Sequence, residues 1–423
     1  MTTHNLGIYS KITKGNSVYI LCALLFLSIK LLTWGGGYLF ATHGDTQFNA
    51  ANYLYNFHHI RVDTRMSGSK AGDFFTLWNY ADGEWYLSIA RDGYPSTDQI
   101  RRDIWNNYGY HSTEQESFRR YAFLPLFPGV VALFAQLFDV EASAFLTICI
   151  INVLAAVAFL YLFRLYFPER KEYVIWPFLL TFLFPFSVFY SLYFPECLFL
   201  LLSICVFIFM KQKKFFLMGL SGFLLSLTRP NGMFITIPVI FGLLPLAWDG
   251  TRTVKGKTIP FLSALIIPIG FLLYLCFGYI QTGDWNFYST AVKSGWGTDF
   301  SMTKAHILNK LVLIMRFFSL PLHTFHASKI DTFLLLFFLV AISLMWLDRK
   351  FPRELTLWST VLWIAPFLAT TDLMSYSRYV VVSFPVFLFL GLRKGWIKYL
   401  LIVFFAIGYF YALRAVIRYD WVG

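Results

Sequence analysis

Charge is scarce in this chain. Of its 423 residues only 14% are Asp, Glu, Lys or Arg, against roughly 25% in an ordinary soluble domain, and that excludes a soluble globular protein. Cysteine is sparse too. The five present, Cys22, Cys149, Cys197, Cys205 and Cys276, all fall in apolar stretches without metal-ligand spacing, so they read as inert buried thiols and not as a disulfide framework or a zinc site. The chain has neither a glycine-rich phosphate loop nor a Gly-x-Ser-x-Gly elbow, which leaves a soluble nucleotide substrate without a visible site. Repeats of fixed period, low-complexity tracts and long flexible linkers are missing as well. The first apolar run carries Lys30 and lacks a small-residue cleavage site, so it is expected to persist as a membrane helix and not to be removed as a signal peptide.

What the chain has instead is apolar length. Hydrophobic residues make up 57% of it, and they arrive in runs such as 17–40 and 262–279, each near the ~20 residues that cross a bilayer. The formal charge of +12 would suggest nucleic acid as a partner of a soluble chain, but cytoplasmic loops of a membrane protein carry a Lys/Arg excess. Nucleic acid is therefore set aside. Hydropathy predicts spans near 18–40, 143–164, 173–190, 196–210, 215–229, 231–248, 259–280, 331–347, 355–371, 379–392 and 398–416. The basic clusters 164–171, 211–214, 252–257, 349–353 and 393–398 should all be cytoplasmic. Parity then excludes two further apolar segments as spans. Segment 122–138, with Pro125, Pro128 and Gly129, is expected to lie re-entrant or flat on the outer side, and 306–322, with Lys310 and Arg316, as an amphipathic helix in the interface. The result is an all-α polytopic protein of about eleven spans, a single membrane domain over 1–423 with its N-terminus inside. A large extracytoplasmic loop follows the first helix. That loop, 41–142, holds twelve of the 23 acids but eight of the 35 basic residues.

The densest polar run is 75–94, with Trp78, Asn79, Asp82, Glu84, Trp85, Tyr86, Arg91, Asp92 and Tyr94. Its pattern predicts a short amphipathic helix, with Asp73 as N-cap and Gly93 at its end. On that helix Asp82 shares a face with Tyr86 and Ile89 while Glu84 points away, so one acid only would aim into a common cavity. Gly83 allows a substrate close to the backbone, which makes Asp82 the candidate general base. The same spacing also fits a solvated face of Asp82, Glu84, Arg91 and Asp92.

Glu196 opens an apolar helix just after Pro195, either as an acid that complements the helix dipole or as a functional carboxylate at membrane depth. Thr228-Arg229-Pro230-Asn231-Gly232 interrupts an apolar pattern on the outer side. Arg229 there suits a forked contact to a phosphate, and its alternative is snorkelling to the interface. Arg378, beside Tyr379, has the same two readings. Lys30 lies too deep to snorkel, and a buried acid or a lipid phosphate would be its partner. His323 and His326 are spaced i, i+3, but Pro321 disturbs the helix and no acid completes a ligand set, so ordinary surface polar residues are the better reading. No metal or other cofactor is implied.

The 78–94 run, followed by Tyr121-Ala122-Phe123-Leu124-Pro125-Leu126-Phe127-Pro128-Gly129, resembles the signature of the GPI mannosyltransferase II (PIG-V-like) family, whose bacterial relatives belong with it among the GT-C membrane glycosyltransferases. Residues 193–199, 228–232 and Arg378-Tyr379 with Pro385 occur in matching order, so the resemblance covers most of the chain. It departs at Ala81, where the family commonly has Trp before the acid, and at Pro195, where it tends to have Ser or Thr. The resemblance implies a GT-C-like fold and an inverting enzyme that moves a sugar, typically mannose, from a polyprenyl-phosphate carrier to a lipid, glycan or protein acceptor outside the cytoplasm. It places the acceptor-activating acid at Asp82, and the lipid phosphate falls to Arg229 and Arg378. Trp85, Tyr86 and Tyr94 are candidates to stack on a sugar, and Glu84, Arg91, Glu196, Asn231 and Tyr379 complete the residues expected around the substrates. The expected location is a bacterial inner membrane with the site facing outward, or alternatively the endoplasmic reticulum membrane. A transporter or flippase of a lipid-linked glycan is the competing class.

Overall fold

The computed structural model describes residues 3–43, 74–96, 118–249, 251, 253–296, 304–319, 327–369, 373, 375–418, 420 and 422. Among them every regular element is a helix. A bilayer demands this of a chain that crosses it without forming a barrel, because a helix satisfies its backbone polar groups internally. Six helices are long and apolar enough to cross: Ser17–Thr42, Val140–Tyr166, Pro230–Ala247, Val254–Thr282, Lys329–Leu347 and Ile397–Ile417. The turn Pro185–Ser191 and the helix Glu196–Lys211 pass together as a seventh, bent by 96°. The protein is a polytopic helical membrane protein.

Other segments expected to span are shorter and broken. Segment 173–190 divides into Ile175–Phe182 and Pro185–Ser191, and 379–392 into Tyr376–Val380 and Phe384–Gly391. Residues 215–229 form the 12-residue helix Phe215–Ser226, and 355–371 the 17-residue helix Arg353–Ala369 with Pro366 inside. Proline accounts for two of these breaks, since Pro185 and Pro385 each sit in the first turn of a new helix, where a missing N–H costs nothing. Segment 122–138 forms the nine-residue helix Leu126–Phe134, about 13 Å long and far short of the ~30 Å hydrocarbon layer. From 306–322 the helix Lys304–Ser319 is described. His323 and His326 lie outside the described residues, as does Asp73.

The helices meet through aromatic edges and close backbones. Phe26, Phe159, Phe178 and Phe182 interlock at ring separations of 4.7–6.2 Å, and leucines such as Leu24, Leu27 and Leu31 cover the outward side of the first helix. A β-carbon on Gly219 would lie 2.4 Å from the Ser263 carbonyl oxygen, so Phe215–Ser226 and Val254–Leu265 pack backbone to backbone in the way small residues permit in membranes.

The expected single helix over 75–94 is a correction. Thr76–Trp78 makes one 3-10 turn, the chain then breaks, and the helix proper is Gly83–Asp92, ended by Gly93. The break sits at Ala81, whose φ of +45° is left-handed, a conformation that L-residues adopt at a cost. Gly83 follows it, and a β-carbon there would meet the Asn79 side-chain oxygen at 2.7 Å, so any larger residue would have to displace that amide. Asp82 therefore stands at the N-cap of that helix with a right-handed backbone, and its charge acts on Tyr86 four residues on.

Candidate functional site

Four charged side chains far apart in sequence meet in one place. Glu196, the first residue of the Glu196–Lys211 helix, is fully buried. Its Oε1 accepts from Arg378 Nε at 2.9 Å and from Arg229 Nη1 at 3.3 Å. Arg378 Nη1 donates in turn to Asp82 Oδ2 at 2.5 Å. Arg378 thus spans two carboxylates, and Arg229 Nη1 also donates to the Arg378 carbonyl at 3.1 Å. The guanidiniums lie over aromatic faces, Arg378 over Phe194 at 4.4 Å and Phe189 at 5.6 Å, Arg229 over Tyr379 at 4.5 Å, which lowers the cost of removing them from water.

Exposure within the quartet is uneven. The Glu196 side chain is at 0% and that of Arg378 at 12%, whereas Asp82 keeps 18% of its side chain exposed. Burying one such ion without its partner would cost about 3–5 kcal/mol, so the quartet stands or falls together. Two acids and two bases sum to zero. Glu196 Oε2 and both amide atoms of Asn231 are buried without a hydrogen-bond partner, a condition rare enough in folded proteins to mark a place where a ligand or water belongs.

The local folds that place these groups follow from proline and from borrowed hydrogen bonds. Pro195 stands directly before Glu196, and Pro230 opens a 3-10 turn that leaves Arg229 extended at φ −153°. The bend before Glu196 is held from the first helix: Lys30 Nζ donates to Ser191 Oγ at 2.7 Å and Trp34 Nε1 to the Ser191 carbonyl at 3.2 Å. Asn152 Nδ2 donates to the Tyr190 carbonyl at 2.6 Å, and the Tyr190 hydroxyl to the Val381 carbonyl at 2.6 Å. Asp331 accepts from the Ser377 backbone N–H at 3.1 Å and so fixes the turn that carries Arg378. Tyr80, just before Asp82, donates to the Asp420 carbonyl at 2.8 Å and accepts from the Val422 N–H at 3.2 Å.

No protein-family model and no curated protein matches the chain.

The sequence-expected residues divide into two groups around this quartet. Asp82, Glu196, Arg229, Arg378 and Tyr379 come together. Tyr86 is buried edge-on to Phe123, Phe127 and Phe194. Burial first, and then the Glu196 charge, hold its hydroxyl well above the ordinary tyrosine range, with Arg378 and Arg229 opposing; it stays a protonated donor beside the quartet. Apart from Asn231, whose buried amide has no hydrogen-bond partner, the rest are engaged elsewhere. Glu84 accepts from Asn79 Nδ2 at 2.6 Å, and Arg91 pairs with Glu141 at 3.4 Å on the surface. Trp85 stacks on Phe123, and the Tyr94 hydroxyl donates to the Phe123 carbonyl at 2.6 Å while its ring packs on Tyr121. Both rings pack against neighbouring aromatic residues.

Sequence reasoning missed Phe194, Phe189, Asp331 and Ser191. Asp331 carried a signal, as a lone acid near the start of a 21-residue apolar helix; Phe194 lay within the matching block 193–199 without a role of its own, and nothing marked out Phe189 among 48 phenylalanines. Among the described residues no three His, Cys, Asp or Glu side chains are grouped to hold a metal ion.

Proposed function

We propose that the protein is a membrane-embedded inverting glycosyltransferase with a GT-C-like fold of about eleven spans, similar to the GPI mannosyltransferase II family. It transfers a sugar, mannose in the first instance, from a polyprenyl-phosphate carrier to an acceptor on the outer side of a bacterial inner membrane. The observation that carries this reading is the quartet: a partly exposed carboxylate, Asp82, paired with the buried guanidinium of Arg378, which shares the Glu196 carboxylate with Arg229. The acceptor hydroxyl oxygen attacks the anomeric carbon while its proton passes to Asp82. The bond from that carbon to the phosphate oxygen breaks, and its electron pair leaves with the polyprenyl phosphate, whose new charge Arg378 and Arg229 offset. Glu196 holds both arginines in place.

The test is incubation of purified protein with labelled polyprenyl-phosphate mannose and candidate lipid, glycan and peptide acceptors. A covalently labelled acceptor is expected, with a loss of roughly 10²- to 10⁴-fold in Asp82→Asn. The 96° break before Glu196 favours a second reading, transport of a lipid-linked glycan, since transporters bind at broken helices. Label that crosses a vesicle membrane without joining an acceptor would establish that reading in place of transfer.

A further inference from the structure

Arg378 has two anionic partners, and they differ in kind. Glu196 is fully buried at the start of a helix and receives two guanidiniums on one oxygen. Asp82 is the most exposed member of the quartet, stands on a turn outside any helix, and holds Arg378 by a single oxygen. Arg378 Nε points to the first and Nη1 to the second, so it can leave Asp82 without leaving Glu196. Arg229, bound to the same Glu196 oxygen and to the Arg378 carbonyl, keeps the second cation beside it.

We propose that Asp82 is the resident anion of a phosphate-binding site, competing with the ligand's phosphate oxygens for Arg378. The proposal rests on the glycosyltransferase reading for its catalytic meaning, though not for the binding it predicts. In the resting protein the carboxylate occupies the place of the phosphate and the charges of the quartet cancel. A phosphate monoester or diester that enters draws Arg378 Nη1 away from Asp82 while Nε stays on Glu196. The carboxylate, no longer holding a guanidinium proton, then has a lone pair for the acceptor hydroxyl. The base is thus released only when the donor's charge has arrived, and the protein without a donor holds its reactive carboxylate closed.

The competition predicts that removing the carboxylate strengthens binding, the reverse of what a ligand-contacting or merely structural Asp82 would give. Binding of farnesyl phosphate to purified full-length protein in detergent is measured for wild type, Asp82→Asn and Asp82→Ala, with farnesol and inorganic phosphate as comparison ligands. Both variants are expected to bind farnesyl phosphate about tenfold more tightly, the scale of one charge-assisted hydrogen bond no longer displaced. In an Arg378→Gln background the gain should vanish. Equal or weaker binding in the Asp82 variants, with their folded state verified by thermal unfolding, overturns the proposal, as does an equal gain for farnesol. A gain shared by inorganic phosphate upholds the competition and assigns recognition to the oxyanion alone; a gain restricted to farnesyl phosphate upholds it for a lipid headgroup. Tighter binding with no sugar transfer by any acceptor would retain the competition and remove the enzyme reading, whereas transfer with unchanged binding would do the opposite.

Discussion

Asp82 and Glu84 stand two residues apart and have opposite surroundings. Asp82 meets a guanidinium, whereas Glu84 is largely enclosed and meets the Asn79 amide. Burial raises the Glu84 carboxyl above the ordinary carboxylate value of 4.5, with the Asn79 hydrogen bond opposing. The uncharged form is therefore the one the fold favours. Its contribution to stability is complete below the ordinary value and is lost as the pH rises through the raised one. Glu84→Gln keeps the shape and the acceptor for Asn79 without the charge. Its thermal midpoint in detergent is expected to exceed that of the native protein at pH 7.5 and to match it near pH 4; the same gap at both would show that charge is not the cause. The two acids were both legible in the sequence as candidates. So was their divergence, one toward a shared cavity and one away; the partners themselves were not, because Arg378 lies 296 positions from Asp82 and the turn before it rests on a left-handed Ala81, for which alanine carries no local signal.

At the scale of elements, long apolar runs with charged ends were read directly: Ser17–Thr42, Val140–Tyr166 and Ile397–Ile417 follow from length and hydropathy alone. Broken segments were harder, since hydropathy averages over a proline and sees one run where there are two helices, as at Pro185 and Pro385. The pairing of helices was invisible for a different reason. Gly219 looks like any glycine in an apolar sequence, and only its 2.4 Å approach to the Ser263 carbonyl shows that it sets the distance between two helices. Gly219→Leu should force Phe215–Ser226 from Val254–Leu265 and destabilise by about 1–3 kcal/mol, read as a lower unfolding midpoint. A midpoint equal to that of the native protein would mean that this seam adjusts freely. The Pro230 turn that carries Arg229 and Asn231 continues directly from the first of these helices, so the site should loosen with the seam.

For the molecule as a whole, the charge excess of +12 gives way to an arrangement. Basic residues gather at the turns between helices, as at Lys213 with Lys214 and at Arg393 with Lys394, whereas Asp82 of the quartet belongs to the acid-rich stretch 41–142 of the sequence. The positive-inside rule then sets opposite faces for these groups. A cysteine placed at Asp92, whose side chain is half exposed, should react with a membrane-impermeant maleimide in intact cells. One placed at Lys394 should react only after permeabilisation. Labelling of both from outside would overturn the assigned orientation. The composition announced a membrane protein at once, but the meeting of Asp82, Glu196, Arg229 and Arg378 required contacts across as many as 296 positions, which no local pattern encodes.

That separation also orders events in time. Asp82 leaves the ribosome 296 residues ahead of its counter-ion Arg378, and further still ahead of the backbone at Asp420 and Val422 that steadies Tyr80. A chain synthesised from its N-terminus therefore inserts its first helices with the acidic turn unanchored. The turn closes only when Arg378 and the residues after the Ile397–Ile417 helix have been delivered, so a copy that stops short of them, however well inserted, has no assembled site.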